Sequence, residues 1–388
     1  MTYVFLTLKR VFKNKLNYIP FFLIAIFIPV MYVGIHNAAV DEVNGSEYSM
    51  QEELNSVRED IPIFENLLNS TELTEDEILQ TKQNLTVAQE REKHLAAKVQ
   101  AYQTKKWDQF YQSDVALIDL MINSVRQSPQ MYGADLLGIL DANQDYSEYM
   151  STTGLGFDSR FAPVQGTSYA IKVFDDFYPI ILILLLTYFA SFVYCSSRVG
   201  GLDYEDLIPK SYLAKQMLRL LVGVIVGMII ILFLFGLCLL CGLIGSSIGG
   251  LQTPILFYTL EGTTKFVSIG SLLFEFLVLS ILGMMLIVNL VAVFSRWMTK
   301  QMTCFFVSLI VVGGLMWCVQ EIAPLHSFMQ FLPFTYLNPI QIVTQELMTT
   351  TSNPQVNFMF GTIVLVISNL MLMGIYYWIQ KRSKEVVV

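Results

Sequence analysis

Six long runs composed mainly of apolar residues set the strongest limit on how this 388-residue chain can fold. A helix needs about 20 apolar residues to cross a hydrocarbon core about 30 Å thick. The runs extend approximately over Tyr18–Ile35, Phe177–Tyr194, Leu218–Ile244, Leu272–Phe294, Met302–Val319 and Phe358–Ile379. We therefore predict an all-α membrane protein with six transmembrane helices. A signal peptide is the alternative for the first run, although its apolar core exceeds the usual length of about 7–15 residues.

The basic residues beside these runs predict the orientation, because Lys and Arg in short loops tend to stay in the cytoplasm. With the N-terminus inside, the only basic residue of the short outer loops is Lys265. The inner segments then carry Lys9, Arg10, Lys13, Lys15, Arg198, Lys210, Lys215, Arg219, Arg296, Lys300, Lys381, Arg382 and Lys384. Both termini are therefore predicted to be cytoplasmic, in a multi-pass protein of the cell membrane.

The stretch from His36 to Asp176 differs from the rest, with 24 acidic and 10 basic residues and a formal net charge of −14. Its position between the first two runs places it outside the cell. It has no cysteine, so a disulfide scaffold is impossible. Since no segment away from the membrane edges gathers Lys and Arg, the composition argues against binding to nucleic acid.

The first part of this acidic stretch has the pattern of an antiparallel helical hairpin. Apolar residues alternate at spacings of 4 and 3, which is typical of a coiled-coil seam. They are Met50, Leu54, Val57, Ile61, Phe64 and Leu68, followed after a turn by Ile78, Leu85, Ala88, Leu95, Val99 and Tyr102. Thr74 and Glu77 form a capping-box pattern before the second helix. Pro62 predicts a kink or break in the first helix, and the second is expected to continue through Trp107 and Leu117.

Three further patterns are candidates for metal binding or catalysis. Asp141, Asn143 and Asp145 resemble the start of a calcium-binding loop, but Tyr146 stands where such loops need Gly; a solvated acidic loop is the alternative. Gly245, Ser247 and Gly249 match the GxSxG pattern by chance, because a membrane helix precedes them where a strand is required. With three histidines in all, no clustered ligand set is present, so no metal site is predicted.

Charges and small residues inside the membrane runs give a few more candidates. Glu275 is a possible intramembrane functional residue, with an interfacial position at the outer boundary as the alternative. Gly223 and Gly227 form a small-xxx-small pair, which is typical of closely packed helices. No phosphate-binding GxxxxGK[ST] motif occurs, so any dependence on ATP must come from a partner.

Two segments are predicted to lie on the cytoplasmic side of the membrane. Residues 1–16 form an amphipathic helix expected to lie along the inner leaflet, with Val4, Phe5, Leu8, Val11 and Phe12 on its apolar face. The loop after the second run is the one inner loop long enough to present a helix to a partner. Its notable residues are Arg198, Gly200, Asp203, Glu205, Asp206 and Pro209.

In these features the chain resembles the membrane subunits of type-2 ABC transporters, the ABC exporter permeases. That family has an interfacial N-terminal helix, six spans and an inner loop between the second and third spans, and here Arg198, Gly200, Asp203, Pro209 and Arg219 fall on matching positions of the loop. The large domain after the first span is similar to one subgroup. Pro-rich outer segments before the last span are also common in the family, here with Pro324, Pro333, Pro339 and Pro354.

The resemblance implies that the chain is not itself an enzyme but a transport subunit. The loop, including Glu205 and Asp206, would couple it to a separate ATPase, present in two copies, which alone binds ATP and Mg. A second permease subunit, identical or homologous, would complete the exporter in the bilayer, and the cargo would be amphiphilic or peptide-like or lipid-like. A cell-surface receptor or assembly protein without transport, and ABC-driven extrusion of ions or small drugs, are the alternatives.

The predicted boundaries along the chain follow from these assignments. They are the interfacial helix 1–16, first span 17–36, extracellular helical domain with its coiled-coil-like hairpin 37–176, second span 177–196, coupling loop 197–217, third span 218–244, outer loop 245–271, fourth span 272–294, inner loop 295–301, fifth span 302–321, outer Pro-rich segment 322–356, sixth span 357–380 and cytoplasmic tail 381–388.

Overall fold

The chain forms two units that do not follow each other simply along the sequence. The computed structural model describes residues 2–69, 74–127, 134–158, 162–196, 198–199, 202–203, 211–259, 264–298 and 300–385. The span unit comprises Met1–Tyr32, Tyr169–Ile248 and Gly270–Val388, and the helical unit comprises Val33–Ser168 and Gly249–Ile269. The chain therefore crosses between the units four times.

Six helices are long and apolar enough to cross a membrane, which confirms the predicted number of spans. They are α2 (Ile19–Leu68), α7 (Tyr178–Cys195), α8 (Tyr212–Gly245), α9 (Ile269–Phe294), α10 (Gln301–Glu321) and α13 (Phe358–Glu385). Apart from two short antiparallel hairpins, the regular structure of the described residues is helical. The all-α fold class is thus correct.

Two of these helices extend beyond the predicted spans. The first run and the first helix of the hairpin are one element, because α2 is a continuous helix of 50 residues. It continues through Pro62, so the predicted break near Ile61 is wrong. The helix α8 has 34 residues, about 51 Å at about 1.5 Å per residue. Its first turns, with Lys215 and Arg219, therefore belong to the helix rather than to a loop.

The N-terminal helix α1 (Thr2–Lys13) packs against other helices of the span unit as well as presenting an apolar surface. Val4, Thr7 and Val11 are buried, and Arg10 Nη2 donates a hydrogen bond to the carbonyl of Val193, 3.5 Å away. On the opposite side Phe5 is 65% exposed. The predicted amphipathic face therefore divides between protein packing and an open apolar surface.

The segment between α10 and α13 folds into three 3₁₀ turns and the short helices α11 (Pro339–Val343) and α12 (Glu346–Thr350). Its centre is buried: the Tyr336 hydroxyl donates to the carbonyl of Gln330 at 2.8 Å. The same ring lies directly against Gly361 of α13. The prolines of this segment start turns and short helices, because proline fits the first helical position.

In the helical unit, the distal half of α2 packs against α3 (Glu75–Gln103) as the seam predicted. Every seam residue is buried or half-buried, and Leu95 is only 1% exposed. The capping box at Thr74 is confirmed, with a Thr74 N to Glu77 Oε2 distance of 2.8 Å. Ion pairs Arg58–Glu92 and Arg91–Glu53 join the two helices at 2.8 and 2.5 Å.

One prediction for the rest of this unit is wrong. The second hairpin helix does not continue, because the chain turns at Lys105, whose φ is +56°, and α4 (Trp107–Gln127) packs back on α3. A helix of 20 residues, α5 (Ala134–Thr153), follows. The pattern Asp141, Asn143 and Asp145 lies within α5, so it does not form a calcium-binding loop. The helix α6 (Gly166–Asp176) then leads to α7.

The connection between α8 and α9 is part of the helical unit. It contains strands β3 (Pro254–Tyr258) and β4 (Thr264–Ser268), which pair antiparallel with Leu256 opposite Phe266. The Phe266 ring lies 5.1 Å from that of Tyr146 on α5, and the Tyr149 hydroxyl donates to the Gln252 carbonyl at 2.7 Å. The hairpin therefore covers one face of α5.

A tight loop precedes this hairpin. Gly249 has φ +76° and lies so close to Thr167 that an added Cβ would be 2.0 Å from the Thr167 Oγ1. Only glycine fits this conformation and this approach together. The Thr167 hydroxyl is in turn 2.7 Å from that of Thr253, so the loop is fixed to the start of α6.

Candidate functional site

The predicted coupling loop begins as a short β-hairpin. Strands β1 (Arg198–Val199) and β2 (Leu202–Asp203) pair antiparallel, with Arg198 opposite Asp203. The loop ends at Ser211, which caps α8 by accepting a hydrogen bond from Ala214 N at 3.3 Å. The other predicted coupling residues, Gly200, Glu205, Asp206 and Pro209, lie outside the described residues.

A chain of four buried polar side chains starts at the two helices that flank this loop. The Tyr194 hydroxyl on α7 donates to Gln216 Oε1 on α8 at 3.1 Å. The Gln216 amide nitrogen donates to Asn289 Oδ1 on α9 at 3.1 Å, and Asn289 Nδ2 donates to Asn369 Oδ1 on α13 at 2.8 Å. Four different helices are thus joined side chain to side chain.

The last member ends the chain on backbone carbonyls. Asn369 Nδ2 donates to Leu282 O at 3.1 Å and to Leu365 O at 2.9 Å. The four side chains are between 0% and 4% exposed. A buried amide without a partner costs about 1–3 kcal/mol, so these side chains stabilise the bundle only while the chain stays complete.

Cations surround the end of the chain nearest the loop. The Arg219 guanidinium, only 2% exposed, lies 5.3 Å from the centre of the Tyr194 ring. The Lys215 ammonium, 7% exposed, lies 5.5 Å from the centre of the Tyr212 ring. Such cation–π contacts contribute about 0.5–1 kcal/mol at exposed sites and about 2 kcal/mol or more when the cation is desolvated. The Arg219 contact therefore holds the first turns of α8 against α7, whereas the Lys215 contact lies within α8 itself.

A further cation–aromatic contact joins the end of α9 to α13. Arg296, which follows α9, donates a hydrogen bond to the Tyr376 hydroxyl, and its guanidinium lies 4.7 Å from the centre of the Tyr376 ring. This contact links the same two helices that Asn289 and Asn369 join. The α9–α13 pair is therefore fixed at two levels.

The close approach of α8 and α9 involves the predicted packing glycines. A Cβ on Gly223 would lie 2.6 Å from Val288 Cγ2, and one on Gly227 would lie 2.4 Å from Met284 Sδ. Gln216, Gly223 and Gly227 are spaced by 7 and 4, so they share one face of α8. That face carries both the amide and the gaps into which the side chains of α9 fit.

Glu275 lies apart from this network. It is half-buried in the second turn of α9, and among the described residues no ion pair involves it. Asn289 is fourteen positions further on, about 21 Å along the helix. Glu275 and the polar chain are therefore separate features.

The four residues of the polar chain were not predicted as functional from the sequence, because the intramembrane candidates were sought among ionisable side chains. A signal was present, because Asn289 and Asn369 are amides well inside apolar runs. Polar side chains at such positions need a partner on another helix. Which amides pair with each other could not be read from the sequence, since the partners lie up to 80 positions apart.

Comparison with known proteins gives no match: no protein-family model, no curated protein and no solved structure matches this chain. Among the described residues, no group of three or more His, Cys, Asp or Glu side chains is arranged to hold a metal ion. What this site can do must therefore be argued from the residues and their geometry.

Proposed function

We propose that this chain is the permease subunit of an ATP-driven ABC exporter in a bacterial cell membrane. Two copies of a separate ATPase would bind ATP and Mg, and a second permease, identical or homologous, would complete the assembly. The loop between α7 and α8 would be the docking element on the cytoplasmic side, with both termini. The helical unit would lie outside, and the cargo would be an amphiphilic peptide or lipid.

The observation that carries this proposal is the polar chain from Tyr194 to Asn369. A docking loop can drive transport only if its displacement reaches the helices that open and close a path. Here both helices that flank the loop share a hydrogen bond, Tyr194 to Gln216. The same Gln216 is bonded to α9, and through Asn289 to α13. A force on the loop is therefore transmitted to four helices together.

The lack of an ATP-binding motif is consistent with an exporter that uses a separate ATPase. The sequence has no phosphate-binding loop, so a partner would supply the energy. The loop between α7 and α8 would be the contact through which that energy reaches the chain. Asp203, Glu205 and Asp206 form a local acidic cluster in this loop, between the basic residues Arg198 and Lys210. A charged loop of this kind can be recognised by complementary charge on a partner.

The first test is whether an ATP-binding subunit co-purifies with the full-length chain. The second is the charge-reversed variant E205K/D206K in proteoliposomes with that subunit. ATP hydrolysis should persist while ATP-dependent transport falls at least about tenfold, as expected when a few interface charges are lost. The matched control is E52K/E90K, a reversal of two exposed acidic residues on α2 and α3, which should transport normally.

Each alternative has its own outcome. Absence of an ATP-binding partner, with function that depends only on residues 45–170, would establish a receptor or assembly protein and overturn the proposal. Wild-type coupling in E205K/D206K would overturn the assignment of the loop. Stimulation of ATP hydrolysis by sodium or a small dye, but not by an amphiphilic peptide or lipid, would establish ion or drug extrusion instead.

A further inference from the structure

The tip of the α2–α3 hairpin has an unusual surface, here defined as residues 59–69 and 74–81. These residues include six acids and no Lys, Arg or His; the acids are Glu59, Asp60, Glu65, Glu75, Asp76 and Glu77. All of those that the structure describes are exposed. The capping hydrogen bonds from Thr74 hold the pKa of Glu77 below its usual value, so the tip is strongly anionic at neutral pH.

Large apolar side chains stand among these acids. Ile63 is 54% exposed, Leu67 is 43% exposed and Leu79 on α3 is 60% exposed. Asp60, Ile63 and Leu67 are spaced by 3 and 4, so they form one stripe along α2. The seam residues Ile61 and Phe64 are half-buried instead, and Ile61 packs against the apolar core of the hairpin. The stripe is therefore additional to the apolar residues that the hairpin needs for its own packing.

At the base of the same hairpin, acidic residues form ion pairs that join the two helices. There Glu53 is paired with Arg91 and Glu92 with Arg58, each across the two helices. At the tip, no ion pair of the described residues involves an acidic side chain. The two ends of one hairpin thus use their carboxylates differently.

We propose that the hairpin tip is a docking surface for a cationic amphipathic helix. The partner's Lys and Arg would face the carboxylates around Asp60 and Glu65, and its apolar side chains would cover Ile63 and Leu79. Other occupants fit the charge poorly: a second copy of the tip would bring six acids against six, and an anionic membrane surface would be repelled. The proposal does not depend on transport, since binding needs no ATPase.

The test uses the full-length protein in nanodiscs of neutral lipid and two short helical peptides with the same leucine face. One peptide has lysines on its other face, and its matched control has glutamates there. The lysine peptide should bind, and added salt should weaken the complex, because exposed charge pairs are screened. The glutamate peptide should not bind measurably. Equal binding of both peptides would overturn the proposal.

Two sets of variants locate the surface. The triple variant E59Q/D60Q/E65Q should weaken binding of the lysine peptide about tenfold, as three exposed ion pairs at about 0.5 kcal/mol each predict. Its control, E52Q/E90Q/E148Q, changes the net charge equally at exposed acids away from the tip and should bind within about twofold of wild type. An equal loss in both variants would mean general attraction to an acidic protein, and the proposal would fail.

The apolar part is tested in the same way. Ile63→Ser should weaken binding about tenfold, because covering a large aliphatic side chain contributes about 1.5 kcal/mol or more. Ile139→Ser on α5, where the side chain is 56% exposed, is the control and should bind like wild type. Unchanged binding in Ile63→Ser would overturn the docking surface. Self-association through the tip, or binding to anionic vesicles in preference to the peptide, would overturn the assigned occupant.

Discussion

The two units of this protein differ in the polar side chains that they bury between their helices. In the span unit, Gln216, Asn289 and Asn369 form a hydrogen-bonded chain through an apolar bundle. In the helical unit the buried residues form an apolar seam, centred on Leu95 and Met150, each 1% exposed. Charges and amides of the helical unit lie mostly at the surface, as in the pair Arg58–Glu92.

We attribute this difference to the proposed surroundings of the two units, lipid for the span unit and water for the helical unit. In water, removing apolar surface drives helices together, and exposed ion pairs add little. Within a bilayer, lipid tails solvate apolar side chains as well as the protein does, so close contact and interhelical hydrogen bonds decide the packing. Substitutions of opposite chemistry should therefore be the most damaging in the two units.

The largest effect is expected from an apolar truncation in the helical unit. Leu95→Ala should destabilise it by about 4 kcal/mol, because the side chain is fully buried and leaves a cavity. Thermal unfolding of the full-length protein, followed by circular dichroism, measures the change. Leu79→Ala on the same helix is the control and should melt like wild type. Similar melting of both variants would contradict a seam that holds this unit.

The next effect is expected where α8 and α9 touch. Gly223→Leu should destabilise the span unit by about 3 kcal/mol, because the stiff Val288 side chain cannot move aside. Gly236→Leu on the same helix is the control, since nothing lies within 4 Å of a Cβ there. The check is the apparent melting temperature in detergent. Equal stability of both variants would show that close contact does not decide the α8–α9 packing.

A smaller loss is expected when the polar chain is broken. Asn289→Leu should cost about 2 kcal/mol, because it leaves the Gln216 amide nitrogen and the Asn369 carbonyl oxygen without their partner. The double variant Q216L/N289L should cost less than the sum of the single variants, since the two groups are coupled. Additive losses in a thermal unfolding cycle would count against the chain.

The smallest effect concerns pH and a carboxyl group outside the spans. Burial is the main reason that the pKa of Asp175 is raised from 3.8 to about 6; the nearby Glu346 and Asp176 also raise it, and Lys172 lowers it. Burial also raises the pKa of Glu346. A raised pKa means that the folded state binds more protons, so stability should fall as the pH rises from about 4 to about 6.

Asp175→Asn should remove that part of the pH dependence and stabilise the protein at neutral pH. Melting temperatures of both proteins across this pH range give the answer. Asp176→Asn, at an exposed neighbour, is the comparison and should change the slope less. A wild-type slope in Asp175→Asn would rule out this carboxyl group as the source.

Local patterns allowed much of this fold to be predicted from the sequence. The spacing of Met50, Leu54 and Val57 gave the buried face of α2, and Thr74 with Glu77 gave the start of α3, since both depend on residues a few positions apart. The turn at Lys105 was missed because neither Gly nor Pro marks it. A non-glycine residue with positive φ is there held by the packing of α3 on α4.

The candidate site was harder to predict because it depends on distant pairs. Gln216 and Asn289 are 73 positions apart, and nothing in the sequence near either residue specifies the other. The same reason explains why strands β3 and β4 were expected to be an outer loop. Their partner is α5, more than a hundred positions earlier, where Tyr149 bonds to Gln252.

The discontinuous make-up of the helical unit determines how it can be separated from the chain. A fragment of residues 33–168 would lack the β3–β4 hairpin, which the α8–α9 connection supplies. The ring of Tyr146 and the hydroxyl of Tyr149 would then lose Phe266 and Gln252. A soluble version of this unit should therefore be a single chain in which a linker joins residues 33–168 to residues 249–269.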